Sequence, residues 1–246
     1  IGMSFDDVNE KYLRVGREKR LVDGESTDSG RRVMGRKGIG KLAGFGIANI
    51  VEVWTVKSKH LTAFKMVYDD MVRSTDGGFT RPYRPPILAD RRLTNKDPIR
   101  SGTLVVLKSL QLKNAIAEDR FFSGIRRRFG VLENQFRVKV NRKILHPVEE
   151  DFQFRFPDTG METEHVTGFG DIRYWFGFTL KPIKSEEGRG IAVMARGKLA
   201  QAPFFFNFSG GLTNQLGMEY LTGVVEADQL DEKVDLIATD RASVLW

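Results

Sequence analysis

The residues best placed to do chemistry lie in one stretch, Gly35-Arg36-Lys37-Gly38-Ile39-Gly40-Lys41-Leu42-Ala43-Gly44-Phe45-Gly46, with five glycines and three basic residues in twelve positions. Glycine lets a backbone approach a ligand closely and take conformations closed to other residues. Successive unpaired N–H groups at the mouth of a helix attract anions, and lysine and arginine add charge where phosphates would sit. Three motifs compete for the stretch. Gly35 to Lys41 fits the phosphate-loop spacing G-x-x-x-x-G-K, but Leu42 stands where a Mg²⁺-holding Ser or Thr is needed. Gly38 to Ala43 fits the dinucleotide pattern G-x-G-x-x-G/A, without the apolar strand that should precede it. The plainest alternative is that the glycines only permit close packing.

Composition narrows the classes. The chain has 246 residues, 41% apolar and 11% aromatic, which suits one large globular domain or two ordinary ones. Net charge is +7, which favours an anionic partner such as a nucleotide and permits nucleic-acid contact. Cysteine is absent, so disulfides and cysteine-built zinc sites are excluded, and three scattered histidines argue against a histidine-built metal site. No apolar run approaches the roughly 20 residues of a membrane helix, so a soluble cytoplasmic protein is expected.

The elements that would position the loop follow from periodicity. Ser4 and Asp7 form a capping-box variant before Phe5, Val8, Tyr12 and Val15 at helical spacing. Residues 17–34 are polar and aperiodic, as a functional lid would be. A helix is expected over 41–49, then a hairpin of strands 50–57 and 62–68 through Ser58-Lys59-His60. Residues 73–100 read as a long surface connection before an apolar strand at 104–107. Further on, a helix over 115–129 ends in Arg126-Arg127-Arg128, and strands fall at 136–140, 172–180, 190–194 and 220–226, with a helix start at 212–216. The class is α+β, with domains at 1–113 and 114–246.

In order, Ile1-Gly2-Met3, a capped helix, a polar segment, the glycine loop and Gly102-Thr103 before a strand resemble the motifs of the GHKL ATPases (gyrase, heat-shock-90-type chaperones, histidine kinases and MutL), in the MORC-like or chaperone-like branch. The resemblance implies a partial Bergerat-type α/β sandwich lacking its N-terminal helix and strand, followed by a smaller transducer-like α+β domain. It implies an ATP-binding, ATP-hydrolysing conformational switch, with the 17–34 lid closing over nucleotide and homodimerisation on closure. Gly2 would pass close to the adenine, Met3 would pack on it and Thr103 would bond near its edge. Gly35, Gly38 and Gly40, with Lys37 or Lys41, would take the phosphates, and Arg17 and Lys19 would sit at the lid base. Arg241, or second Lys198, would sense the γ-phosphate from the second domain. The family's catalytic glutamate, its Mg²⁺-holding asparagine and its adenine-reading aspartate would precede Ile1, so the chain is expected to begin mid-domain.

A rival reading takes the chain as a basic module that binds nucleic acid or a protein client without catalysis. It would use Arg126–Arg128 and the 81–100 connection, with Phe204, Phe205, Phe206 and Phe208 as stacking surfaces.

Overall fold

A computed structural model describes residues 2–27, 30, 33, 35–73, 82–129, 137–146, 150–185, 188–206, 217–232, 236–238 and 243–245. The fold is α+β, with mostly antiparallel sheets and few helices. The chain divides into two units, Ile1–Glu25 with Gly35–Ala115, and Ser26–Met34 with Ile116–Trp246. Among the described residues no helix is long and apolar enough to cross a membrane.

The first unit is built on a four-stranded sheet in the order β3-β2-β1-β4. Its strands are β1 (Ala48–Lys57), β2 (His60–Val67), β3 (Ile87–Arg92) and β4 (Gly102–Leu110), every neighbour antiparallel. Alternation in β1 puts Val51, Val53 and Thr55 on one face, where Val51 and Val53 join Phe64 and Met66 in a buried cluster. Helix α1 (Phe5–Asp7) and its π-helical continuation Val8–Tyr12 press Val8 into that cluster, with Tyr12 edge-on to Phe64 at 5.8 Å. The capping box forms as the sequence suggests: the Ser4 hydroxyl accepts from the Asp7 N–H at 3.2 Å, and the Ser4 N–H donates to the Asp7 carboxylate at 3.1 Å. Asp7 also takes Lys57 Nζ at 2.5 Å, which ties this helix to the end of β1. Lys57 first, then the Ser4 N–H, holds the Asp7 carboxyl well below the usual carboxylate range.

The 41–49 helix is instead a 3₁₀ run over Gly40–Gly46, and β1 starts at Ala48. Gly40, Gly44 and Gly46 in so short a span oppose a regular α-helix. The 73–100 connection contains β3, which pairs with β2 as an edge strand, leaving Ile87 59% exposed.

The second unit holds a six-stranded sheet: β7 (Phe152–Phe156), β8 (Glu162–Val166), β9 (Gly170–Thr179), β10 (Gly190–Ala195), β11 (Lys198–Phe204) and β12 (Leu221–Glu226). The order is β11-β10-β12-β9-β7, with β8 also along β9, and only β10 and β12 run parallel. A separate pair, β5 (Lys139–Val140) and β6 (Lys143–Ile144), follows the helix Glu118–Arg128. Val193, Ala195, Ala200, Ala227, Leu230, Ile237 and Val244 form the unit's principal core. The helix start expected at 212–216 lies outside the described residues.

Candidate nucleic-acid interface

At one end of the first sheet the β1–β2 turn, the end of β3 and the loop 93–101 lie side by side. The register pairs His60 with Arg92 and Leu61 with Arg91, and the Leu93 N–H donates to the Lys59 carbonyl at 2.9 Å. Residues 57–60 and 90–100 together carry six lysines and arginines against two aspartates. Lys57, Lys59, Arg91, Arg92, Lys96 and Arg100 are all exposed.

What distinguishes this corner from an ordinary basic loop is how it is held. Arg91 grips Asp97 in a two-point fork, Nη2 to Oδ1 at 2.6 Å and Nη1 to Oδ2 at 2.9 Å. The Thr94 N–H and hydroxyl donate to the same carboxylate at 2.7 and 2.8 Å. Arg100 reaches back to the carbonyls of Thr94 and Asn95 at 2.6 and 2.5 Å, so its charge is fixed in place, and no described carboxylate neutralises it. The Asp97 side chain is only 4% exposed. His60 pairs with Asp90 at 2.7 Å. Among the described residues no carboxylate pairs with Lys59, Arg92 or Lys96.

The Arg91 guanidinium first, then the Thr94 N–H, holds the Asp97 carboxyl well below the usual carboxylate range. A depressed folded-state pKa contributes stability that is fully present above the unfolded value, near ~3.9, and is lost as pH falls through the folded value. Hydrogen exchange at the Thr94 amide is therefore expected to stay protected from neutral pH down to about 4, and to gain an extra opening rate below it. Protection unchanged in Asp97→Asn would show that the carboxylate does not pin the loop.

The turn itself carries a mismatch. Ser58 and Lys59 have φ of 51° and 63°, the left-handed pair that a two-residue hairpin turn demands and that Asn-Gly supplies best. Lys59→Gly is expected to stabilise the fold by about 0.5–1 kcal/mol and, on the nucleic-acid reading of the sequence, to weaken phosphate contact about threefold. Thermal melting and anisotropy would read the two opposite signs; duplex binding that Lys59→Gly leaves unchanged would remove Lys59 from the interface.

The residues singled out by the glycine motifs fall into two groups. Gly2, Met3 and Thr103 meet around Thr55: the Met3 N–H donates to Thr55 Oγ1 at 2.7 Å, which lies 3.0 Å from Thr103 Oγ1. A Cβ on Gly2 would stand 2.1 Å from the Val56 carbonyl oxygen. In the second group, Lys41 donates to the carbonyls of Tyr12 and, at 2.5 Å, Arg14, with its ammonium 5.7 Å from the Tyr12 ring centre. Burial, then the Arg17 charge, pushes that ammonium below the ordinary lysine value. Gly38, at φ 63°, lies against the Arg17 backbone, and Arg17 forks onto Asp23 at 2.7 and 2.6 Å. Gly35 and Gly40 face open space and Lys37 is exposed. In the second unit Lys198 lies over the Phe129 ring at 5.7 Å. Lys19 opens the short helix Lys19–Asp23; Arg241 lies outside the described residues.

Of the rival's other elements, Arg126, Phe204 and Phe206 make contacts within the second unit. Arg126 Nε donates to the His146 carbonyl at 2.8 Å and its guanidinium lies 5.9 Å from the Phe122 ring. Phe204 and Phe206 stack on each other at 4.1 Å, and Phe208 is not among the described residues. Sequence reasoning placed the 81–100 segment in a nucleic-acid surface but had no signal for the Arg91–Asp97 fork that shapes it.

No protein-family model matches the chain. It is 32% identical, over 273 aligned positions, to a protein of Herpetosiphon aurantiacus named as a candidate type II restriction enzyme, HgiDII. The alignment takes in 99% of this chain and 43% of that protein, so the chain spans less than half the length of the relative. This relative overturns the GHKL resemblance and the ATP-binding, ATP-hydrolysing switch it implied. The physical reason is that short glycine patterns have a second origin in packing. Gly2 meets backbone carbonyls, Gly38 meets the Arg17 backbone, and a Cβ on Gly44 would stand 2.9 Å from Leu107. Lys41, read as a phosphate ligand, is held by main-chain carbonyls.

Proposed function

We propose that this chain is a DNA-contacting part of a DNA-cleaving, restriction-type protein acting in the cytoplasm, and that the corner formed by Lys59, Arg92, Lys96 and Arg100 holds the phosphate backbone. The observation that carries the proposal is the pinned loop 93–101, whose backbone fixes where Lys96 and Arg100 leave the fold beside Lys59 and Arg92. A loop backbone held in place beforehand, with the Arg100 side chain, lowers the ordering cost that a flexible basic loop would meet on binding. The overall charge of +7 and the name carried by the relative support the same partner. Phosphate contacts of this kind position a duplex without reading its sequence.

Among the described residues no group of three His, Asp or Glu side chains could hold a metal ion. Mg²⁺ enters the proposal as the metal that a DNA-cleaving reaction in the longer protein would use. The proposal needs only the α+β sheet of the first unit, whether or not that sheet is a partial Bergerat-type sandwich.

The test is anisotropy of a labelled duplex against this chain over a salt series. Log affinity should fall linearly with log salt at a slope of about −3 to −4, as for several phosphates neutralised. The affinity should be alike for unrelated duplexes and unchanged by ATP. No binding at low salt would overturn the proposal.

A further inference from the structure

Against a chain of net charge +7, the segment from Glu150 to Glu164 is an acidic exception, with five carboxylates and a single arginine. It is also rich in aromatic residues, and the sheet sorts the two kinds of side chain by face. Phe154 and Phe156 of β7 share a face by the two-residue period of a strand, and they meet Phe176 and Tyr174 of β9 across the pairing. Ring centres lie 6.1 Å apart for Phe154–Phe176, 5.8 Å for Phe156–Phe176 and 6.2 Å for Phe156–Tyr174. Phe154 is 49% exposed and Phe156 38%, so the ladder is open to solvent.

The carboxylates stand beside it. Glu162 pairs in register with Tyr174 and Glu164 with Ile172, which puts both acids on the ladder's face. Burial, then the charges of Glu164 and Glu162, raise the Tyr174 pKa above the ordinary tyrosine value. The one arginine of the segment is on the other face. Arg155 lies 4.9 Å from the Trp175 ring centre and donates to the carbonyls of Pro157 and Gly160. Arg173 likewise lies on that opposite face, paired with Glu226.

Open aromatic rings attract cations through their faces, and neighbouring carboxylates add a full charge of the same preference. A nucleic acid would meet repulsion from Glu162 and Glu164. A second copy docked by this same patch would bring like charges together across the two-fold axis. We propose that the Phe154–Phe156–Tyr174–Phe176 face docks an arginine-rich segment of a protein partner, its guanidinium groups lying on the rings and pairing with Glu162 and Glu164. This site is separate in residues and in charge from the basic corner and does not depend on the DNA-binding proposal.

The test titrates the intact chain with labelled peptides of alternating Arg-Gly, Lys-Gly and Glu-Gly, read by anisotropy. Arg-Gly should bind, Lys-Gly should bind several-fold more weakly because an ammonium neither stacks nor forks onto a carboxylate, and Glu-Gly should not bind. The double variants Phe154→Ala/Phe156→Ala and Glu162→Gln/Glu164→Gln should each weaken Arg-Gly about tenfold, with duplex affinity unchanged. The glutamine pair keeps the aromatic ladder whole, so it answers even where the alanine pair disturbs the strand. Failure of Arg-Gly to bind would overturn the proposal. So would binding that survives both double variants, capture of single-stranded DNA that depends on the phenylalanines, or self-association that they abolish.

Discussion

Replacing Lys59, Arg92 and Lys96 together by alanine is expected to weaken duplex binding about 100-fold at low salt and to lower the salt slope by about 2 to 3. These three cations are exposed, no described carboxylate pairs with them, and none contributes to a core, so the triple variant should melt within a degree or two of the parent. The loss should be uniform across duplex sequences, because the three side chains would hold phosphate and not base edges. Arg91→Ala makes the contrasting case. Arg91 is tied to Asp97, so its removal acts by releasing the loop that carries Lys96 and Arg100, and leaves the Asp97 carboxylate without its principal partner. That variant should lose less affinity than the triple variant and lose stability as well. Anisotropy over a salt series, with melting of each variant, separates the two; a triple variant that binds like the parent would remove the corner from any DNA interface.

How much of this was legible in the sequence depends on whether the information was local. The β1–β2 hairpin was, because Ile50 to Lys57 and Thr62 to Tyr68 alternate around a short polar turn, and the pairing runs from Ile50 opposite Val67 to Lys57 opposite His60. The Ser4–Asp7 capping box was, because both partners lie within one turn. Strand β3 was not: Ile87-Leu88-Ala89-Asp90-Arg91-Arg92 carries polar residues at both parities, as an edge strand may, and its exposed face erased the alternation. β7 was overlooked although Phe152-Gln153-Phe154-Arg155-Phe156 does alternate; among the described residues its outward phenylalanines join no core cluster. Pairing across distance was invisible in principle. Nothing in the order of residues says that Arg91 turns back to Asp97, or that Glu162 lies opposite Tyr174. The glycine motifs failed for a related reason: glycine serves ligand approach and tight packing alike, and only the neighbouring atoms tell the two apart.

Those neighbours make Gly190→Ala the most damaging single glycine substitution to test in the second unit, with an expected loss of about 3–5 kcal/mol. Gly190 opens β10, which lies between β11 and β12, so it has strands on both sides. Its φ of 96° is in the region that side-chain-bearing residues avoid. An added Cβ would also stand 2.6 Å from the Phe204 carbonyl oxygen and 2.9 Å from the Phe204 nitrogen, backbone atoms that cannot yield without parting β10 from β11. Both penalties act at once, and neither has a flexible side chain to absorb it. A fall in melting temperature of about 10 °C or more is expected, with duplex binding retained below the transition because the basic corner belongs to the other unit. Gly35→Ala is the control: nothing stands within 4 Å of the place its new methyl group would take, so its effect should stay within about 0.5 kcal/mol. A mild Gly190→Ala would mean that β10 and β11 can shift apart cheaply, and a severe Gly35→Ala would mean that the glycine loop has a partner that packing does not explain.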